Sequence, residues 1–86
     1  MELDVNIKIL GPGCRKCIEI AEMIRELVEE NNLTVQVEKI TNMDEIAEFG
    51  VSSTPAVVID GDVKCTGRVP DRNEILYWLK KELGNE

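Results

Sequence analysis

The distribution of apolar side chains along the chain predicts four short strands. In two stretches apolar and polar residues alternate, which is typical of a strand with one buried face. The stretch 56–59 is wholly apolar, and the Asp-Gly pair after it predicts a tight turn into an antiparallel strand. On that returning strand Val63 and Cys65 are two positions apart, so we expect their side chains on one face. The predicted strands are 3–10, 33–40, 56–59 and 63–66.

Three further stretches carry apolar residues at helical spacing. In 14–30 they recur every three or four positions, and acidic side chains fill the opposite side. A short helix is predicted over 43–49, and a last helix opens at 70–71. The predicted order is therefore β-α-β-α-β-β-α, without repeats or linkers, in a single domain over 1–86.

Polar residues suited to capping precede two of these helices. Either Thr41 or Asn42 can cap the second helix, because both side chains accept hydrogen bonds from backbone N–H groups. Before the third helix, Glu74 stands three positions after Asp71, which is the spacing of a capping box. These residues predict where the two helices begin.

Composition excludes several classes of function. The 86 residues include 17 acidic and 10 basic ones, and a formal net charge of −7 argues against binding to nucleic acid or to an anionic membrane surface. Three cysteines are too few for a secreted disulfide framework, and neither a signal peptide nor a membrane span is visible. We therefore expect a cytoplasmic protein. Histidine is absent, which removes His-based catalysis.

The main chemical signal is the sequence GPGCRKC at 11–17, where the first strand gives way to the first helix. Cys14 and Cys17 share a helix face, with α-carbons roughly 5–6 Å apart, which a disulfide can bridge. We assign Cys14 as the nucleophile, because the helix start and the charges of Arg15 and Lys16 favour a thiolate there. Cys17, one turn further in, is the predicted resolving thiol.

The same two thiols are also half of a metal site. A zinc tetrathiolate needs a second pair, and Cys65 is the only other cysteine, so we expect no structural zinc site and assign no metal ligands. A carrier of Cu(I) or a similar soft metal through the CxxC thiolates remains the alternative function. Ferredoxin-like carriers of this kind have the order β-α-β-β-α-β and end on a strand. Cys65 itself is either a small buried hydrophobic residue or a regulatory thiol.

The second informative site is Thr54-Pro55, directly before the apolar strand 56–59. Proline is tolerated at the start of a strand, so these two residues alone do not establish a cis bond. Together with the CxxC, the Asp-Gly hairpin and the element order, however, they resemble the thioredoxin superfamily. The resemblance runs from Val5 to Leu79 and is to the small prokaryotic glutaredoxin-like members, or redox-active disulfide proteins.

That resemblance implies a thioredoxin-like α/β fold, with a four-stranded mixed sheet flanked by three helices. It also implies a cis bond between Thr54 and Pro55, with Pro55 against the dithiol. The backbone of Thr54 would then pair with an extended substrate segment, in the manner of strand addition. Gly13 and Gly67 belong to the same expected docking region.

The implied function is that of a thiol–disulfide oxidoreductase, which acts as a protein disulfide reductant or electron carrier. We expect no cofactor beyond the redox-active Cys14–Cys17 disulfide. The expected partners are disulfide-containing proteins and an external reductase, such as one of the thioredoxin-reductase type. We expect the protein to be a monomer.

Two departures from the family pattern affect these expectations. Lys8 occupies the position, six residues before the first cysteine, where thioredoxins bury an acid that accepts the resolving thiol's proton. If Lys8 points inward it favours thiolates, and if it points outward the proton acceptor is missing. Thr66-Gly67 and Asp71 resemble part of a glutathione site, but 68–70 break that pattern, which argues against glutathione binding.

Overall fold

The computed structural model describes residues 5–13 and 15–82. Its seven elements follow the predicted order β-α-β-α-β-β-α and end on a helix, unlike the ferredoxin-like metal carriers. Among the described residues, no helix is long and apolar enough to cross a membrane. The elements are β1 (Val5–Leu10), α1 (Arg15–Glu30), β2 (Val35–Ile40), α2 (Met43–Glu48), β3 (Ala56–Ile59), β4 (Asp62–Thr66) and α3 (Arg72–Glu82).

The four strands form one mixed sheet in the order β2-β1-β3-β4. β1 pairs in parallel with β2 and antiparallel with β3, and β3 pairs antiparallel with β4. The mixed four-stranded sheet that the sequence led us to expect is thus confirmed. β2 and β4 are its two edges, so each has one side whose backbone groups are not paired within the sheet.

Apolar side chains cover both faces of the sheet. On one face, α1 and α3 pack over alternate residues of the central strands, such as Ile7, Ile9 and Val57. On the other face, Ile46 of α2 packs with Leu10 and neighbouring apolar residues. β1 and β3 contribute to both clusters, because their side chains alternate between the faces and both faces are covered.

The expectation that Val63 and Cys65 share one face is wrong. The pairing of β3 with β4 shifts between Val57 and Val58, so that Val57 is opposite Cys65 while Val58 is opposite Val63. Residues directly opposite each other in an antiparallel pair point to the same face. Cys65 therefore joins the cluster under α1 and α3, whereas Val63 lies on the other face and is 41% exposed. An irregularity of this kind inserts one residue and breaks the period of two.

The predicted caps are found at the starts of α2 and α3. Asn42, not Thr41, caps α2: its Oδ1 accepts hydrogen bonds from the N–H groups of Asp44 (2.8 Å) and Glu45 (3.1 Å). At α3, Oε1 of Glu74 accepts a hydrogen bond of 3.0 Å from the N–H of Asp71, which is the predicted capping box.

Candidate functional site

The junction between β1 and α1 brings Cys17 against a glycine. Gly11 is buried, and its N–H still donates to the carbonyl of Ile40 at 2.9 Å, so this segment follows β2 past the end of β1. A methyl group added to Gly11 would overlap the sulfur of Cys17 and would lie 4.0 Å from the α-carbon of Pro55. Cys17, Gly11 and Pro55 thus meet at the end of the sheet where β1 stops and α1 starts.

The position of Cys17 fits a thiol that is held in place. It is in the first turn of α1, is 6% exposed and belongs to the core cluster formed by β1, α1 and α3. The first turn of a helix carries N–H groups that no helical carbonyl accepts, and these favour negative charge. Cys14, the predicted nucleophile, lies outside the described residues, so its assignment stays a prediction.

The Thr54–Pro55 peptide bond is cis, as the family resemblance implies. Pro55 is buried and Thr54 half-buried. The carbonyl of Pro55 accepts a hydrogen bond of 2.7 Å from the N–H of Gly67, which ties the start of β3 to the end of β4. Gly67 has a φ of 75°, and a β-carbon there would lie 3.2 Å from that of Ser53, so two local constraints favour glycine.

A cavity of about 210 Å³ opens beside Cys17. Gly13 lines it, as do Lys39 and Thr41 at the end of β2. Neither Lys39 nor Thr41 belongs to a sequence motif with a known chemical role. The predicted β-α-β order was the available signal, because a helix between two strands favours parallel pairing, and the carboxyl ends of parallel strands meet at one edge of the sheet.

Arg15 and Lys16 are the first two residues of α1, and both are exposed. The first turn of this helix contains no acidic residue. Two cations at a helix N-terminus are unfavourable for the helix itself, because the dipole already places positive charge there. The arrangement therefore favours an anion at this end, although the tuning role of these two residues stays a prediction.

Lys8 points away from Cys17. Its neighbours Ile7 and Ile9 are in the cluster that contains Cys17, so Lys8 lies on the opposite face of β1. Its Nζ donates to Oδ1 of Asn6 at 3.1 Å and lies 3.8 Å from Oε1 of Glu38. Of the two orientations considered from the sequence, the outward one is found. Lys8 therefore does not replace the buried acid of thioredoxins.

Cys65 is a core residue. It is 8% exposed, and its Sγ lies 3.9 Å from the carbonyl oxygen of Arg68, to which the thiol donates a weak hydrogen bond. Burial raises the pKa of the Cys65 thiol, while the nearby Arg68 guanidinium opposes that shift. A buried thiol with a raised pKa is a poor nucleophile. These observations favour the packing interpretation over that of a regulatory thiol.

Comparison with known proteins gives a consistent set of similarities. A family model described as Thioredoxin domain matches residues 5–80. A thioredoxin of Methanothermobacter thermautotrophicus is 38% identical over 71 residues, which are 83% of this chain and 92% of that protein. A thioredoxin of Methanocaldococcus jannaschii is 38% identical over 79 residues, which are 92% of this chain and 91% of that protein.

Solved structures show the same fold. Thioredoxin-2 of the malaria parasite, described as a component of its protein secretion machinery, aligns with a TM-score of 0.70 over 94% of this chain and 85% of that one. Only 16% of the residues are identical, so this similarity concerns the fold alone. It confirms the expected thioredoxin-like arrangement of four strands and three helices.

Proposed function

The chain belongs to the thioredoxin family and is a thiol–disulfide oxidoreductase, and we propose that it reduces disulfides of protein substrates through Cys14 and Cys17. The observation that supports this most is the placement of Cys17 in the first turn of α1. Its sulfur is held against Gly11, and Pro55 lies beside them. A resolving thiol needs such a fixed position, because it must reach one sulfur of a mixed disulfide.

The reaction consists of two exchange steps. The thiolate of Cys14 attacks one sulfur of the substrate disulfide; that S–S bond breaks, a mixed disulfide forms, and the first substrate sulfur leaves as a thiolate. The thiolate of Cys17 then attacks the Cys14 sulfur, which releases the second substrate thiolate and forms the Cys14–Cys17 disulfide. Both substrate thiolates take up protons. The protein dithiol loses two electrons and two protons, and the substrate disulfide gains them.

Five residues of the site support this chemistry in different ways. Arg15 and Lys16 place positive charge at the start of α1, which favours the thiolate form of the nearby cysteines. Thr54 and Pro55 directly precede β3, and an extended substrate segment would pair with the backbone there. The hydrogen bond from Gly67 to Pro55 holds this docking edge in place.

The partners follow from the reaction. Each turnover leaves the protein oxidised, so an external reductase has to regenerate the dithiol. The electrons stay on the two sulfurs, and we propose no further cofactor. We place the reaction in the cytosol, because three cysteines in 86 residues are typical of a redox site rather than of a secreted disulfide framework.

Trapping of mixed disulfides tests the proposal. In Cys17→Ser the second step is blocked, so a disulfide between Cys14 and the substrate should accumulate and be seen as a mass increase with a disulfide-containing protein such as insulin. Cys14→Ser should trap nothing, and reduction of the substrate should fall by at least about 100-fold in either variant. Cys65→Ser is the control and should retain activity. Trapping by Cys14→Ser, or none by Cys17→Ser, would contradict the assigned roles.

A further inference from the structure

A groove runs along the side of the molecule between α1 and the edge strand β2. Its volume is about 460 Å³, and we define this α1–β2 groove by three residues from each element. These residues are Ile18, Arg25 and Val28 of α1, and Val35, Val37 and Lys39 of β2. The groove exists because α1 packs over the centre of the sheet, which leaves one face of the edge strand uncovered.

Two large apolar side chains in this groove are exposed. Ile18 is 48% exposed and Val37 is 44% exposed, although both lie beside well-packed core elements. β2 also has an unpaired side, since β1 occupies only its other side. Its six residues give an edge about 20 Å long, at ~3.3 Å per residue. Such an edge pairs readily with an extended chain, whose alternate side chains can then fill an adjacent groove.

The groove leads to Cys17. Ile18 and Lys39 line both the α1–β2 groove and the cavity beside Cys17, so the two spaces are contiguous. A chain lying in the groove with one end at Lys39 would therefore have its next residues beside Cys17. This region is separate from the docking edge at Thr54 and Pro55, which lies on the β3 side of the dithiol.

The charges of the groove indicate which segment it fits. Among the described residues, neither Arg25 nor Lys39 takes part in an ion pair. The basic residues that do are Lys8, Lys64, Arg68 and Arg72. Glu22 adds one acidic group to the lining, so cations outnumber anions there, in a chain with a net charge of −7. The local charge of the groove thus favours carboxylates on a short segment, whereas a second copy would bring its whole net charge of −7 towards a chain of the same charge.

We propose that the α1–β2 groove and the free edge of β2 hold an extended segment of the substrate protein, apolar and acidic in composition, as an additional strand. The inference rests on the proposed function, because it makes the groove a route that delivers a substrate cysteine to the dithiol. It assigns Val37 and Ile18 to apolar contact and Arg25 and Lys39 to recognition of carboxylates.

Binding is measured first, without redox chemistry. The full chain carrying Cys14→Ser and Cys17→Ser is titrated with a fluorescent peptide of the repeat valine-threonine-glutamate-threonine, which places valine and glutamate on the same face of a strand. In this background Val37→Glu should weaken binding by about tenfold, because it removes apolar contact and repels the peptide's carboxylates. Val63→Glu is the matched control: Val63 is 41% exposed on the opposite edge strand, and its replacement should leave binding unchanged.

A charge exchange tests the specificity. A peptide with lysine in place of glutamate should bind more weakly than the acidic peptide, and Arg25→Glu should reduce or reverse that preference. Lys80→Glu, which changes an exposed cation of α3, should not alter it. Equal losses in Val37→Glu and Val63→Glu, or no preference for the acidic peptide, would overturn the proposal. So would a dimer that Val37→Glu dissociates, because the groove would then belong to a second copy.

A turnover experiment separates this inference from the proposed function. The chain with intact cysteines is given either the acidic peptide with its cysteine in a mixed disulfide, or neutral hydroxyethyl disulfide. The rate constant for the peptide disulfide, divided by that for hydroxyethyl disulfide, should fall by about tenfold in Val37→Glu and stay constant in Val63→Glu. A constant ratio in both variants would contradict the groove. If the unaltered protein reduced neither disulfide, the proposed function would fail, while the binding data would still decide whether the groove is used.

Discussion

At the scale of single residues, the absence of a side chain at Gly11 is what leaves room for the sulfur of Cys17. Gly13, Gly50, Gly61 and Gly67 have positive φ angles, so turn geometry accounts for them. Gly11 differs, because the sulfur of Cys17 occupies the space that its β-carbon would need. Glycine at this position therefore reflects packing against the sulfur of Cys17 rather than backbone conformation.

Replacing Gly11 by alanine should lower the free energy of unfolding by about 1–3 kcal/mol, because the methyl group overpacks the site. The overlap is with the sulfur of Cys17. In a Cys17→Ala background the destabilisation caused by Gly11→Ala should therefore be smaller by about 1 kcal/mol or more. Urea denaturation of the four proteins of this double-mutant cycle measures the coupling. Additive effects would mean that the backbone, and not the sulfur, excludes a side chain at Gly11.

At the scale of elements, α3 is fixed at its start by one carboxylate with several partners. Glu74 accepts the N–H of Asp71 and also forms a paired ionic contact with Arg68, at 2.8 and 3.0 Å. The Arg68 guanidinium and the Asp71 N–H together lower the pKa of Glu74 to about 2, from an ordinary value of 4.5. These contacts place the loop after Gly67 next to the first turn of α3.

The pH dependence of stability should report this carboxylate. A carboxyl group whose pKa is depressed in the folded state adds stability above its unfolded pKa, and that stability is lost as the pH falls through the folded pKa. Thermal unfolding of wild type and Glu74→Gln should therefore differ most at neutral pH, and the two should converge between pH 4.5 and about 2. Glu29→Gln is the control, and its difference from wild type should not change with pH in this way. A difference independent of pH would show that the carboxylate is not the stabilising group.

At the scale of the whole molecule, the acidic charge is spread over the surface of a small sheet protein. The net charge is −7 over 86 residues, and self-repulsion of this kind opposes the compact state. Exposed ion pairs, such as those of Arg72 on α3 with Glu26 and Glu30 on α1, counteract it only slightly.

Added salt should therefore stabilise the protein at neutral pH. Screening of the repulsion between low ionic strength and ~0.15 M should raise the Tm by roughly 2–8 °C, which corresponds to ~0.5–1 kcal/mol for a domain of this size. A variant with both Glu19→Gln and Glu29→Gln has a net charge of −5 and should show a smaller salt effect. A Tm that falls with salt would mean that ion pairs outweigh the net repulsion.

Local patterns in the sequence were sufficient to predict the order of the elements, the hairpin after β3 and the caps of α2 and α3. Each depends on neighbours within a few positions, through side-chain periodicity or through hydrogen bonds to the nearest backbone groups. The pairing of Cys14 with Cys17 rests on a spacing of three in the same way, but it stays a prediction, because Cys14 lies outside the described residues. Family resemblance then supplied the thioredoxin-like fold, which the spacing of two cysteines alone does not imply.

Only the tertiary structure decided which side chains meet around Cys17. The shift in β4 pairing moves Val63 and Cys65 to opposite faces, because one inserted residue reverses the alternation and leaves no signal in the hydrophobic pattern. Lys8 turns away from Cys17, while Lys39, thirty-one positions further along, lines its cavity. Contacts of this kind depend on how β1, β2 and α1 pack together, so no stretch of the sequence specifies them by itself.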